Sequence, residues 1–578
     1  MKIASYFLTL VRNCEKFLQH CENCRKLWLS CLFLSICFVL CLVLPAEANN
    51  LAISNISVTD QDTGNDTFDI EFDIAWDNSW FITGAPSLTA NWDAAWIFAK
   101  FSTWDGSAWS DWAHCTLLNT GSSAPSGSQF AFADNEGGGV YYGAFMYRSS
   151  AGTGSVDWDD AQIRWDYGAD GVADDTPAKV KVFGIEMVYI PQGNFYLGDT
   201  DCDNDGNIMY NSGCSGSGVL ISTTITAALC TENNATDVSI ECAGSTGTFC
   251  IDGDDGFDLD CDGIENADFP TGYEAFYMMK YELTQEQYVD FLNTLTRTQQ
   301  NSRTDTQIAD RYVMSNSTKV YYHSGIRAPS SIPSDEITSG NDLDGIATTG
   351  ASSGDGTFGE SDDGQNIAAN YVNWIDGAAF SDWAALRPFT ELEFEKAARG
   401  GQAVVDDEYV CGGSSGPTGA YTISNLGTAS SSISANYETD PSCNQVDSTS
   451  DGSNNGPLRV GIFADSDSTR AEAGASYYGV LDLAGNLWER SVTIGNSTGR
   501  SFAGTHGDGV LSSNGNATNS DWPGFDGDHV TGSTGVNLRG GSWFTGASDG
   551  RTSDRRNGSS TNTDRYYHVG YRAARTAP

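Results

Sequence analysis

The chain has 578 residues, enough for two or three domains, and 76 Asp and Glu against 30 Lys and Arg leave a formal net charge of −46. A polyanion of this kind is repelled by nucleic acid and by anionic lipid, which excludes those partners. Two readings of the charge remain, solubility in a salty or extracellular medium and the binding of cations. The second needs carboxylates that cluster locally.

Residues 1–48 read as an export signal or an N-terminal anchor. Lys2, Arg12, Lys16, Arg25 and Lys26 precede an apolar run over 27–44, and Ala46-Glu47-Ala48 forms a small-x-small cleavage site. The run is near the minimum for crossing a bilayer, so an uncleaved leader would be the one membrane contact. Either way the rest of the chain is expected outside the cytoplasm, secreted or at the cell surface. Of the 15 cysteines, Cys202, Cys214, Cys230, Cys242, Cys250 and Cys261 share one short segment, which in an oxidising compartment reads as a disulfide cluster of open connectivity. Cys411 with Cys443 makes a further expected pair, and Cys115 is left single and buried.

From 49 to 178 the pattern has period two. Phe68, Ile70, Phe72, Ile74 and Trp76 alternate with Asp69, Glu71 and Asp73, which predicts a strand with one buried and one wet face. Trp96/Phe98, Val140/Tyr142/Ala144 and Ile163/Trp165 continue it between Gly-, Ser- and Asp-rich turns. This is read as an immunoglobulin-like antiparallel β-sandwich, a spacer or a carbohydrate-binding module.

A second domain is expected over 179–578, interrupted by an acidic, cysteine-rich insertion at 199–269. Thr284 with Gln287 makes a capping box ahead of Tyr288, Phe291, Leu292 and Leu295, a helical stripe. The polar stretch 297–365 reads as a long surface loop. A second helix is expected to begin near Asp376. Thr390 with Glu393, and Gly400 beyond, bracket a third.

Met187 to Gly198, with Ile190-Pro191-Gln192-Gly193 inside it, opens a series of ordered motifs. Tyr371 to Trp383, Thr390 to Gly401, Gly479 to Glu489, Leu538-Arg539-Gly540-Gly541-Ser542-Trp543 and Gly570-Tyr571-Arg572 follow in turn. Together they resemble the formylglycine-generating enzyme / sulfatase-modifying factor family. The resemblance implies an α+β, C-type-lectin-like fold rich in loops. In the copper oxidases of that family, cysteines stand three and eight positions after the motif serine. Here those positions hold Thr545 and Gly550, and no cysteine follows Cys443. A thiolate is the soft ligand that selects Cu(I) and the group that reacts, so no copper is expected. The iron-dependent sulfoxide synthases related to the family use histidine ligands. His114, His323, His506, His529 and His568 offer no H-x₃-H pair for that role.

Calcium is the expected cofactor, in a structural role. Asp199, Asp201, Asp203 and Asp205 alternate ahead of Gly206, and Asp258, Asp260 and Asp262 do so ahead of Gly263, the hard-oxygen spacing of a calcium loop or simply of a flexible acidic one. The resemblance adds Asp482, Gly485, Leu487 and Glu489 as one calcium site, and Asn436, Tyr437 and Asp451 as part of another. Between the last motifs stand Phe544, Thr545, Ser548, Asp549, Asp554, Asn557, Tyr566, Tyr567 and His568. They resemble the variable face of retroelement-diversified proteins of the same fold, and Tyr, Ser and Asn suit an adaptable binding surface. The expectation is an exported, non-catalytic protein that binds an extracellular protein or glycan through this face. The alternative is an enzyme of the same family with altered chemistry.

Overall fold

The computed structural model describes residues 51–578 except 85–89, 136–137, 201–208, 212–217, 223–228, 231–248, 252–265, 333–338, 346–352, 415–421, 435–455, 466–467 and 559–560. The period-two segment forms the strand Thr67–Ile82, with Ile70, Phe72, Ile74 and Trp76 buried. On its other face Asp69 is drawn under cover by Arg164, 2.6 Å away. This strand pairs with Ala52–Asp62 and Gly152–Asp166, and the sheet continues through Leu117–Ser123, Tyr141–Arg148 and Asn91–Thr103. The hairpin pairing of Phe81 with Trp92 links the last of these back to Thr67–Ile82, so five strands form a closed ring.

The strand Ala178–Ile190 begins where a boundary between two domains is expected, and it pairs on both sides of that boundary. Residues 178–188 run antiparallel to Asn91–Thr103, and Met187 to Ile190 pair with Phe276–Met279. That strand in turn pairs with Ala574–Thr576 at the end of the chain. One apolar core therefore holds Trp96, Phe98 and Phe183 together with Tyr277, Phe291 and Trp383. The Trp96 indole donates to the Ala384 carbonyl at 2.8 Å. The chain is mostly β with few helices, and residues 47–578 form one compact unit.

The helices sit where their caps place them. Helix α1 (Gln285–Leu292) carries the Thr284–Gln287 capping box and buries Tyr288, Phe291 and Leu292. Helix α2 (Arg297–Arg303) has a box of its own, Thr296 with Gln299. Helix α3 (Trp374–Trp383) starts two residues before Asp376, because Asn373 is the N-cap and Asp376 closes its box. Helix α4 (Glu391–Arg399) runs from the Thr390–Glu393 box to Gly400, at φ 68°. A Cβ on Gly400 would lie 2.2 Å from the Tyr477 ring, so glycine is required there on two counts.

The expected surface loop at 297–365 is corrected. It contains α2 and the strand pair Ile326–Arg327 with Gly340–Asn341, and it buries Tyr312, Val320 and Leu343 against Ile367, Leu458 and Phe463. Its apolar residues are too sparse and irregular for either periodicity, yet together with distant segments they complete a small core. The expected Cys411–Cys443 pair is corrected too. Cys411 is a free, buried thiol that burial pushes up to about 11, and Cys115 is likewise free and buried. The side chains of the six insertion cysteines, and the leader 1–48, lie outside the described residues. Among the described residues no helix is long and apolar enough to cross a membrane.

Candidate functional site

Helix α4 anchors the segment that follows Arg539. Three of its glutamates are buried, and each meets a buried arginine from elsewhere in the chain. Glu391 binds Arg555 at 2.6 Å, Glu393 binds Arg387 at 2.7 Å and Glu395 binds Arg539 at 2.9 Å. Arg539 also donates to the backbone carbonyls of Thr552 and Asp554. A guanidinium that bonds both a helix carboxylate and two loop carbonyls fixes the loop 540–558 without regular structure.

At the motif serine the chain turns sharply. The Ser542 N–H donates to Thr545 Oγ1 at 2.9 Å, and the Thr545 N–H donates to the Ser542 carbonyl at 3.0 Å. The threonine hydroxyl is thus folded back on the Ser542 backbone. Gly550 ends the short 3-10 turn Ala547–Gly550 and is buried. These residues do not fit copper, since a hydroxyl engaged with the backbone and a glycine offer no soft ligand.

Around this turn lies an aromatic face. Phe544 is 54% exposed. Its ring stacks on His568 at 5.8 Å and meets Tyr567 edge-on at 5.4 Å. Tyr566 stacks on the same imidazole at 5.5 Å. Beneath them Tyr567 stacks on Tyr322 at 4.2 Å, and Trp543 closes the cluster at 5.6 Å from Tyr322. Burial first, and then nearby Arg490, push the His568 imidazole down to about 4, so it is neutral at physiological pH. Neutral aromatic rings with one exposed edge make a surface suited to apolar and sugar-face contacts.

The other residues expected on this face are placed differently. Thr545, Ser548 and Asn557 are half-buried, and the Asn557 carbonyl accepts from the Leu538 N–H. Asp549 and Asp554 are buried, and both pair with Arg556. Burial raises both carboxyls, and Arg556 opposes the shift.

The sequence reading missed Tyr322 and Arg490. Tyr322 and His323 have φ of 50° and 57°, a left-handed backbone that is costly for bulky residues. Gln285 holds it by donating to the His323 carbonyl at 2.7 Å. A conformation set by distant partners leaves no local trace in sequence. Arg490 is wholly buried below His568, and its three guanidinium nitrogens make no hydrogen bond.

Of the expected calcium ligands, Asp482 is buried at φ 56° and accepts from the Gly461 N–H at 2.6 Å. Gly485 lies in the same turn, at φ 80°, and Leu487 donates its N–H to Glu282 at 2.9 Å. Glu489 is buried, with both oxygens bonded by Arg572 at 2.7 to 3.0 Å. Burial first, then Asp482 and Glu489, push the Glu282 carboxyl well above the usual range. Glu282, Asp482 and Glu489 each already accept hydrogen bonds from within the chain, Glu282 from Asn486 and Leu487 and Glu489 from Arg572. Asp199 is buried and its carboxyl is pushed by burial up to about 6. Asp201, Asp203, Asp205, Asp258, Asp260, Asp262, Asn436, Tyr437 and Asp451 lie outside the described residues.

A domain model described as Sulfatase-modifying factor enzyme 1-like domain matches residues 229–577. No curated protein matches the chain.

Proposed function

Since the chain belongs to the sulfatase-modifying factor family, we propose that it uses this scaffold to bind a ligand and does not carry out the family's copper-dependent oxidation. The observation that carries the reading is the aromatic face built on Phe544, Tyr566, Tyr567 and His568, directly beside two positions, Thr545 and Gly550, that hold no thiol. The ligand is an extracellular protein or glycan. Rigid rings supply contact area at low entropic cost. The composition of 544–568 also suits a face that is varied by a retroelement, and a reverse transcriptase gene beside a near-copy of the 3′ coding end is the expected neighbourhood.

The same reading makes the protein exported, with the ring of N-terminal strands acting as a presentation module. Asp482, Glu489 and the backbone carbonyls of Gly485 and Leu487 would hold a structural calcium. That ion would neutralise carboxylates which Arg572 alone does not balance.

Panning the purified chain on glycan and cell-surface protein arrays tests the binding reading. Signals are expected for the wild type and are expected to be lost in Phe544→Ala and Tyr567→Ala. Oxygen uptake with Cu(I) and a cysteine-containing peptide is expected to stay at the buffer level. Conversion of the peptide thiol to an aldehyde would overturn the proposal in favour of a family enzyme with altered chemistry.

A further inference from the structure

We propose that Asp342, Asp344 and Asp363 form a calcium-type cation site, separate from the Asp482–Glu489 turn. One carboxylate oxygen from each lies within 4.8 Å of those of the other two. Oxygens grouped this closely suit a hard, oxygen-loving cation such as calcium, which takes several carboxylate ligands at about 2.3–2.6 Å. Asp344 is shared with a second group, Asp355 and Glu360, in which the oxygens satisfy the same limit. That gives a cation further carboxylates toward solvent.

The charge at this place is unbalanced. Asp342 and Asp363 are wholly buried. Arg327 bonds Asp342 and reaches Asp310 at 3.5 Å. Among the described residues no ion pair reaches Asp344, Asp355, Glu360 or Asp363. One guanidinium, already shared with Asp310, therefore faces this group of five carboxylates, of which Asp342 and Asp363 are buried and repel each other most strongly.

An independent observation concerns Asp363 itself. Its Oδ2 accepts the Glu360 N–H at 2.8 Å, while its Oδ1 is buried and accepts no hydrogen bond. An unpartnered buried carboxylate oxygen is costly, and a cation is the partner that its position among Asp342 and Asp344 provides for. The remaining bonds hold the loop around that point. The Tyr312 hydroxyl donates to the Asp342 carbonyl at 2.8 Å and accepts from the Gly354 N–H at 2.7 Å. Gly356 donates to Asp342 Oδ1 at 3.2 Å, and Asp355 donates to Asp344 Oδ2 at 2.6 Å.

The test is calcium stoichiometry of the chelator-treated full chain by titration calorimetry, together with Tb³⁺ luminescence excited through tyrosine, for which Tyr312 is the adjacent donor. Asp344→Asn and Asp363→Asn are each expected to bind one ion fewer than wild type, or to weaken that ion at least ten-fold, and to lose most of the sensitised luminescence. Asp482→Asn is expected to keep the luminescence, and the exposed Asp528→Asn to match wild type. Near-UV circular dichroism confirms folding. Should Asp363→Asn fail to fold, the half-buried Asp344→Asn carries the comparison. Unchanged stoichiometry and luminescence in the folded variants would overturn the proposal. So would an Asp363→Asn variant that is more stable than wild type by the same margin with and without calcium, which would mean that a proton, not a cation, occupies the site.

Discussion

Tyr322 and Tyr567 stack with ring centroids 4.2 Å apart and planes 21° from parallel, and the side-chain amide of Asn370 donates to the backbone carbonyls of both, at 2.7 and 3.1 Å. One amide thus clamps two segments far apart in the chain and sets the floor of the aromatic face. Asn370→Ala leaves two carbonyls short of a donor and is expected to cost about 1–3 kcal/mol in urea unfolding. It is also expected to weaken array binding, although Asn370 itself lies beneath the exposed rings.

Phe544 and Trp543 are neighbours with opposite roles. Phe544 is 54% exposed and Trp543 2%. Phe544→Ala is expected to change stability by less than about 0.5 kcal/mol while abolishing binding. Trp543→Ala is expected to cost about 3–5 kcal/mol, because it empties a buried site against Tyr281, Leu487 and Val460. Chemical denaturation of both variants separates the surface role from the core role.

Glu391 and Arg555 are fully buried and joined by two bonds of 2.6 and 2.9 Å. Glu391→Gln leaves an uncompensated guanidinium and is expected to cost about 3–5 kcal/mol. Burial by itself raises the Glu391 carboxyl, but Arg555, together with Arg539 and the Ile494 N–H, outweighs it and holds the group below its ordinary 4.5. A carboxyl depressed in the folded state stabilises above its unfolded pKa, and that stability is lost as pH falls through the folded value. Wild type is therefore expected to lose this contribution on acidification below about 4.5, and Glu391→Gln to show a shallower loss, read from urea midpoints across that range.

Arg490 has no hydrogen bond to surrender. Arg490→Met is expected to hold or raise stability, by on the order of 1 kcal/mol, since an apolar side chain removes a buried charge. The same change is expected to move the His568 titration upward from about 4, because Arg490 is one of the groups that lower it. Nuclear magnetic resonance of the imidazole protons reads that shift directly.

Much of the fold is legible locally. The Thr284–Gln287 and Thr390–Glu393 boxes mark the starts of two helices to the residue, since an N-cap needs only side chains three positions apart, although the first helix ends at Leu292, short of the expected Leu295. The alternation from Phe68 to Trp76 marks a half-buried strand for a similar reason. Asn373 is less legible as a cap because Asp376, only three residues later, is an equally good one. The stretch 297–365 is the clearest loss. Tyr312, Val320 and Leu343 become core only when Leu458 and Phe463 arrive from more than a hundred residues away.

The candidate site divides along the same line. That Thr545 and Gly550 are not cysteines is read from residue identity, which no folding can alter. The aromatic residues at 544 and 566–568 are also visible as composition. Which of them face outward, that Asp549 and Asp554 are consumed by Arg556, and that Tyr322 completes the cluster are matters of tertiary structure alone. So is the merging of the N-terminal strands with the rest through Ala178–Ile190. Side-chain identity travels with the chain, but burial and charge pairing depend on which distant segments the core brings together.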